Sequence, residues 1–312
     1  MPQVVLVALP FFVLVFLGYG ARQFRVLEQA SISGLNAYVL YFALPALLFR
    51  TVAATPLDDL LNPRFIAAYL TAGLGVYLLA VLSARWCFRA SPGALGLHGL
   101  AAAWPNTGYM GLPLIAGILG REAITPLIVA ITLEITVLMS LTVALLEADR
   151  GHGGKSLDAV LITLKGLRRN PILMATLAGI LLSASGKVLI EPLDNTIELL
   201  GRTAGPCALF ALGASLVGKP LAGGVDQIVH MIAFKLFLHP VAVAVTVNWL
   251  FPLDPLWAAT LELNAMLPIA GTVYVLAQGY HIGAERAASA VLLSTVLSMV
   301  TVTVWLVVNP GG

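Results

Sequence analysis

Apolar residues recur along the chain in runs of about 20, each closed by a short polar break, which is the length a helix needs to cross roughly 30 Å of hydrocarbon. The pattern predicts ten helices, near 3–21, 32–50, 65–86, 93–118, 123–146, 170–187, 199–217, 227–249, 256–280 and 286–307. The fourth and ninth are long and interrupted. The longest polar segment runs from Glu147 to Arg169, carries mixed charge and contains Gly151, Gly153 and Gly154. It leaves five predicted helices on each side. Five is odd, so the two halves enter the bilayer from opposite faces, which is the arithmetic of an inverted repeat. The predicted division is a first repeat over 1–150, a loop over 151–169 and a second repeat over 170–312.

Short strings agree at equivalent helices of the two halves. Phe42-Ala43-Leu44-Pro45-Ala46 is similar to Phe210-Ala211-Leu212-Gly213-Ala214, and Leu112-Pro113-Leu114-Ile115-Ala116-Gly117 to Leu267-Pro268-Ile269-Ala270-Gly271. Each string is short. The matches matter because they fall in the same order in both halves.

Composition strengthens the membrane reading. Of the 312 residues 59% are hydrophobic and only 10% charged, against roughly 25% charged in a soluble domain. Too few polar residues exist to cover a soluble globule, and the same shortage excludes disorder. The 17 basic and 15 acidic residues leave no nucleic-acid footprint. Cys87 and Cys207 lie in apolar runs and read as packing residues. The first apolar run follows Met1-Pro2-Gln3 without a basic region, so it reads as a retained span rather than a signal.

Basic residues set the expected orientation. Arg22, Arg25, Arg85, Arg89, Arg150, Lys155, Lys165, Arg168, Arg169, Lys219 and Arg286 follow odd-numbered helices; Arg50, Arg64, Arg121, Lys187 and Arg202 sit on the opposite side. The majority side is expected to be cytoplasmic, with both termini outside the cell's inner (plasma) membrane. Trp86, Trp249, Trp257 and Trp305 fall near helix ends, as interfacial anchors do, whereas Trp104 adjoins the first interruption.

The interruptions carry the candidate chemistry. The fourth helix contains Pro105-Asn106-Thr107-Gly108-Tyr109-Met110-Gly111-Leu112-Pro113, and two prolines with two glycines do not propagate a helix. Asn106 and Thr107 lie in the break, and Pro113 suits the first turn of a restarting helix. The ninth helix repeats the device with Asn264, Pro268 and Gly271. Backbone broken at membrane depth must be buried in protein or line a wet cavity. Two such breaks in matched halves point to a binding site near the midplane. If they cross, two half-helix N-termini converge and favour an anion, especially a carboxylate. The plainer alternative is a pair of kinks that serve packing.

Lys235, within Phe234-Lys235-Leu236-Phe237-Leu238-His239-Pro240, is costly inside a membrane and is a candidate to attract the anion or neutralise a carboxylate. Its alternative is snorkelling to an interface. Glu134 and Glu262 are its expected partners and candidates to carry a coupling proton. His98, His230 and His239 titrate in a useful range but read as hydrogen-bonded packing residues. Arg50 and Arg202 close their helices and read as interfacial.

Other motifs fail. Gly154-Lys155-Ser156 has Asp149 where a phosphate loop needs its first glycine, and Ser215 lacks the second glycine of a nucleophile elbow. No paired in-membrane aspartates and no His-rich zinc helix occur, so an enzyme is not expected and no cofactor is implied. No ATP-binding domain is present, so transport would be secondary.

The segment from Pro105 to Pro113 resembles the auxin efflux carrier family of membrane transporters. Leu267 to Tyr280 is similar to that family's ninth-helix signature, and Phe234 to Pro240 to its eighth. The resemblance covers the whole chain and implies a fold related to sodium–bile acid symporters and some sodium–proton antiporters. In that fold helices one, two, six and seven form a scaffold, often a dimer interface, and three to five with eight to ten form a moving transport unit. By position it makes Asn106 a carboxylate contact and Pro113 and Pro268 the crossing prolines. Asn264 has no secure counterpart, so its role rests on the break itself. The short central loop resembles bacterial members labelled malate or malonate permeases. The expected function is therefore elevator-like secondary transport of small organic anions, including auxin-like acids, with a proton or sodium as possible coupling ion. The rivals are a cation–proton antiporter, which usually places aspartates that this chain lacks at the crossing, and a non-transporting membrane sensor.

Overall fold

The computed structural model describes residues 2–56, 62–150, 171–215, 217 and 224–308. The expected loop at 151–169, with Lys155, Lys165, Arg168 and Arg169, and also Lys219, lie outside the described residues. What is described is helical throughout. The helices are α1 (Pro2–Gln23), α2 (29–54), α3 (Pro63–Phe88), α4 (Pro92–Ala103), α5 (107–119), α6 (Ile124–Asp149) and α7 (Pro171–Ala184). They continue with α8 (Glu191–Ser215), α9 (Val225–Leu250), α10 (Pro255–Ala265), α11 (Gly271–Tyr280) and α12 (Ala284–Val308).

Local chemistry sets several ends. Pro63, Pro92 and Pro255 open α3, α4 and α10, where the missing N–H costs nothing. Just before them, Asn62, Ser91 and Asp254 accept the amides of Phe65, Ala94 and Leu256 through their side chains. Arg89 and His281 end α3 and α11 in the left-handed conformation.

Among the described residues five helices are long and apolar enough to span a membrane: Gln29–Ala53, Pro63–Phe88, Ile124–Asp149, Val225–Leu250 and Ala284–Trp305. The surface agrees with a lipid setting. Phe16, Leu181, Trp86, Trp249 and Val308 are exposed, whereas Glu134, Lys235, Asn106 and Asn264 are buried. Trp305 departs from the anchor pattern. It lies near a helix end but is buried, because its indole N–H donates to Glu262 Oε2 at 3.1 Å. Cys87 is exposed and Cys207 half-buried, and both are free thiols.

Helices α1, α2, α7 and α8 pack together through glycines. A Cβ on Gly18 would lie 1.9 Å from Phe210 O, and one on Gly213 would lie 1.8 Å from Val15 O. The α1 and α8 backbones therefore touch, as small-residue membrane interfaces do. Gly179 and Gly201 let α7 and α8 approach Phe49 and Leu47 of α2 in the same way. At the far end of α2, Arg50 is paired with Asp194 at 2.8 Å and Glu198 at 3.2 Å, and Arg202 with Glu198. The Arg50 guanidinium holds the Asp194 carboxyl below the usual carboxylate range. The remaining helices, α3 to α6 and α9 to α12, pack mainly on one another.

Candidate functional site

Two short non-helical segments meet in the interior. Helix α4 stops at Ala103, because Pro105 removes a donor and disfavours helix at the residue before it; Trp104 is extended, with φ −106° and ψ 103°. Helix α10 stops at Ala265 ahead of Pro268, and α11 begins at Gly271. Pro105 and Ile269 form an antiparallel bridge. The Asn106 amide donates to Pro268 O at 2.9 Å, and the Ala270 amide to Trp104 O at 3.2 Å. Thr107 N–H donates to Pro105 O at 2.8 Å, closing an inverse γ-turn on Asn106, whose φ and ψ are −77° and 55°.

Helix α12 supports the second segment. Ser294 Oγ accepts from the Ile269 amide at 3.1 Å, and Thr301 Oγ1 donates to Met266 O at 2.9 Å. Several backbone groups freed by the non-helical residues thus find partners without water, as burial requires. The first turns of α5 and α11 keep amides with no intrahelical partner beside the bridge.

The paired segments draw in ionisable groups. Glu134 of α6 is buried; its Oε1 accepts from Tyr69 of α3 at 2.6 Å and from Thr107 at 2.8 Å. Asn264 of α10 and Lys235 of α9 also act on this carboxylate. The Lys235 ammonium donates to Ala265 O at 2.7 Å and contacts His239 Nδ1 at 3.0 Å. It therefore caps the C-terminal end of α10, where a cation is favoured, and does not line the cavities described below. Asn106 Oδ1, Glu134 Oε2, Asn264 Oδ1 and His239 Nε2 are buried without a hydrogen-bond partner.

Two cavities flank the paired segments. Asn36, Val39, Leu209, Leu212 and Tyr274 line one, between α2, α8 and the start of α11. Leu44, Leu48, Trp104, Glu134 and Met139 line the other. Asn106 and Thr272 line both. Asn106 thus borders both cavities, at the apex of the turn.

The structure brings Asn106, Thr107, Pro105, Gly108, Glu134, Asn264, Lys235, Pro268 and Gly271 to one region. Gly111 belongs there because it fits against Leu267 and Asn264; a Cβ would lie 2.9 Å from Leu267 Cδ1. Pro113 lies within α5 beyond the bridge. Glu262 does not join them. Its Oε1 accepts from Asn248 at 2.6 Å and its Oε2 from Trp305, tying α10 to α9 and α12. His98 and His230 pair through their Nδ1 atoms at 3.1 Å, with Ser83 on His230 Nε2 at 2.7 Å. Sequence reasoning missed Tyr69, Thr272 and Ser294. Tyr69, near the start of its apolar run, carried no signal of its own, whereas Ser294, Ser298 and Thr301 share one helix face.

A protein-family model described as "Membrane transport protein" matches residues 4–306. A protein of Rhizobium meliloti (strain 1021), named as a proposed malonate transporter, is 32% identical over 97% of this chain and 95% of its own length. Auxin efflux carrier component 8 of Arabidopsis thaliana is 23% identical over 96% of this chain and 95% of its own. Auxin efflux carrier component 1 of the same plant is 30% identical over 44% of this chain and 22% of its own. The match spans the helices that build the paired segments and both cavities. The chain is therefore a multi-pass membrane transporter, not an enzyme, and it belongs to the auxin efflux carrier family.

Proposed function

We propose that the chain is a secondary transporter of small organic anions, with dicarboxylates such as malonate as the preferred class, and that the anion binds at Asn106, which borders both cavities. The observation that carries this reading is the position of Asn106. Its buried amide stands at the apex of the turn, lines both cavities, and lies beside the first turns of α5 and α11. Partial positive charge at two helix starts, together with an amide that can donate, suits a carboxylate. The relative named as a proposed malonate transporter supports the choice of a small dicarboxylate.

In this reading the helices cross the membrane as ten spans in a 5+5 inverted repeat. Helices α4 with α5, and α10 with α11, are its two broken spans. The glycine-packed helices α1, α2, α7 and α8 form the scaffold, available for a homodimer contact, and the others form the transport unit. The anion site sits on the transport unit and faces α2 and α8 across the cavities. Elevator-like sliding of that unit past the scaffold would expose the site to each face in turn. In this reading both termini lie outside the plasma membrane, with most basic residues on the cytoplasmic side.

The test is malonate binding to the purified protein, measured by titration calorimetry in detergent. Wild type gives saturable binding. Asn106→Ala weakens it by about tenfold or more, the worth of a lost hydrogen bond to a charged group, while the melting temperature stays unchanged. Unchanged affinity in a folded Asn106→Ala protein refutes the site.

A further inference from the structure

The interior around the paired segments holds acceptors without donors. Asn106 Oδ1, Glu134 Oε2 and Asn264 Oδ1 are all buried and all lack a partner. Asn264 lies beside the Glu134 carboxylate, and its Oδ1 stands 3.3 Å from where a Cβ on Gly111 would lie. Glu134 also lines the cavity that Asn106 lines. A buried carboxylate oxygen that has no donor and belongs to a cavity-lining residue is a place where a proton can be held.

Charge counting says when that hydrogen is needed. With Glu134 ionised, its charge is offset by the Lys235 ammonium on Ala265 O. The other groups nearby carry no compensating charge. Tyr69 and Thr107 offer hydroxyls to Oε1. Tyr77 of α3 is bonded to Thr142, His98 of α4 to His230, and Arg50 of α2 to Asp194. The described helix α7 has no ionisable residue, and His239 contacts only the lysine's side of the pair. A malonate dianion entering the Glu134 cavity would thus bring three negative charges together in a low-dielectric interior against one cation. Such an arrangement is strongly unfavourable.

We propose that Glu134 is the coupling residue and that each cargo anion is carried with one proton on its Oε2. The proton comes from the aqueous side from which the anion enters. It stays on Oε2 while the site is loaded, and returns to water on the opposite side when the anion leaves. No bond besides O–H forms or breaks. A metal cation fits this place less well. Hard cations gather about six oxygen ligands, yet Ala265 O is already taken by Lys235, and the Tyr69 and Thr107 hydroxyls point hydrogens at the carboxylate. A proton needs one acceptor, and Glu134 Oε2 is without a donor.

The proposal rests on the carboxylate reading above, and the test separates the two. Purified wild type and Glu134→Gln are reconstituted in liposomes, with potassium and valinomycin holding the membrane potential at zero. Two measurements are made with radiolabelled malonate: exchange against internal malonate, and net uptake under an inward pH gradient of about one unit. Wild type is expected to exchange, and to accumulate malonate ~10-fold under the gradient, the ratio that one proton per cargo sustains. Glu134→Gln, a fixed mimic of the protonated carboxyl, is expected to keep exchange and lose the gradient-driven accumulation. Exchange in wild type without gradient-driven accumulation overturns the proposal alone. Accumulation retained in Glu134→Gln places the proton on the cargo and also overturns it. No exchange for malonate, succinate or malate in wild type overturns the carboxylate reading, and the proposal with it. If Glu134→Gln does not fold, gradient-driven malonate accumulation is measured across pH in wild type and Glu134→Asp: a shifted pH profile supports the assignment, and an unchanged one refutes it.

Discussion

At the residue scale, Lys235 and Glu134 decide most. Both are fully buried, one on the carbonyl that ends α10 and the other under Tyr69 and Thr107. Two opposite charges in such a place depend on each other. Lys235→Met leaves the Glu134 carboxylate buried without its cation, and is expected to destabilise the protein by about 3–5 kcal/mol. Adding Glu134→Gln to that variant removes the stranded charge and should recover a large part of the loss. Unfolding by graded SDS in detergent micelles checks this, and strictly additive losses would show that the two do not interact. Both residues were legible in the sequence, since an ionisable side chain stands out in an apolar run. Glu262 stood out by the same rule, yet Asn248 and Trp305 hold its carboxylate. Tyr69 did not stand out, because an aromatic residue is unremarked in a membrane helix until its hydroxyl partner is known. Burial and charge mark candidates; only tertiary neighbours separate a site from a strut.

At the element scale, proline proved less disruptive than its sequence reading implies. Pro45, Pro113 and Pro240 each follow, by one residue, a five-residue π-helical stretch: Val39–Ala43, Thr107–Gly111 and Phe234–Leu238. A proline ring displaces the carbonyl four residues back, and a widened turn takes up that displacement. The interruption expected from Pro105 to Pro113 is therefore confined to residues 104–106, and Gly108 and Gly111 lie in helical backbone. Thr107 and Lys235 both lie in these widened turns. Helix extents are legible where the whole helix is apolar: the pattern predicts 65–86 where Pro63–Phe88 is found, but 199–217 where α8 runs Glu191–Ser215, because its first turns, from Glu191 to Glu198, are polar. Contact between helices follows the glycines. Gly18→Leu or Gly213→Leu drives a side chain into a backbone carbonyl and is expected to cost upwards of about 3 kcal/mol. Gly20→Ala, whose Cβ would meet nothing nearer than Phe24 at 3.9 Å, should stay within about 1 kcal/mol. Retention of a monodisperse detergent-solubilised protein after heating reads the difference; equal survival of all three variants would contradict the close α1–α8 packing.

At the scale of the whole molecule, run length and composition were enough for the class, an all-helical membrane protein. They could not say which helices touch. Pairing of α1 with α8 and of α2 with α7 joins residues far apart in sequence through small side chains, which have no pattern of their own. The bridge between Pro105 and Ile269 was likewise beyond sequence pattern, although the prolines that free the backbone there were visible. One small anion is proposed to bind at Asn106 between two groups of helices and to be carried across. Transient current from proteoliposomes on a solid-supported membrane tests it most directly. A malonate dianion moving with one proton carries a net negative charge, so a malonate pulse should give a saturable current in wild type and none in a folded Asn106→Ala protein. A malonate current that survives Asn106→Ala, or silence to malonate, malate and succinate with a response to sodium or pH steps alone, would contradict the account.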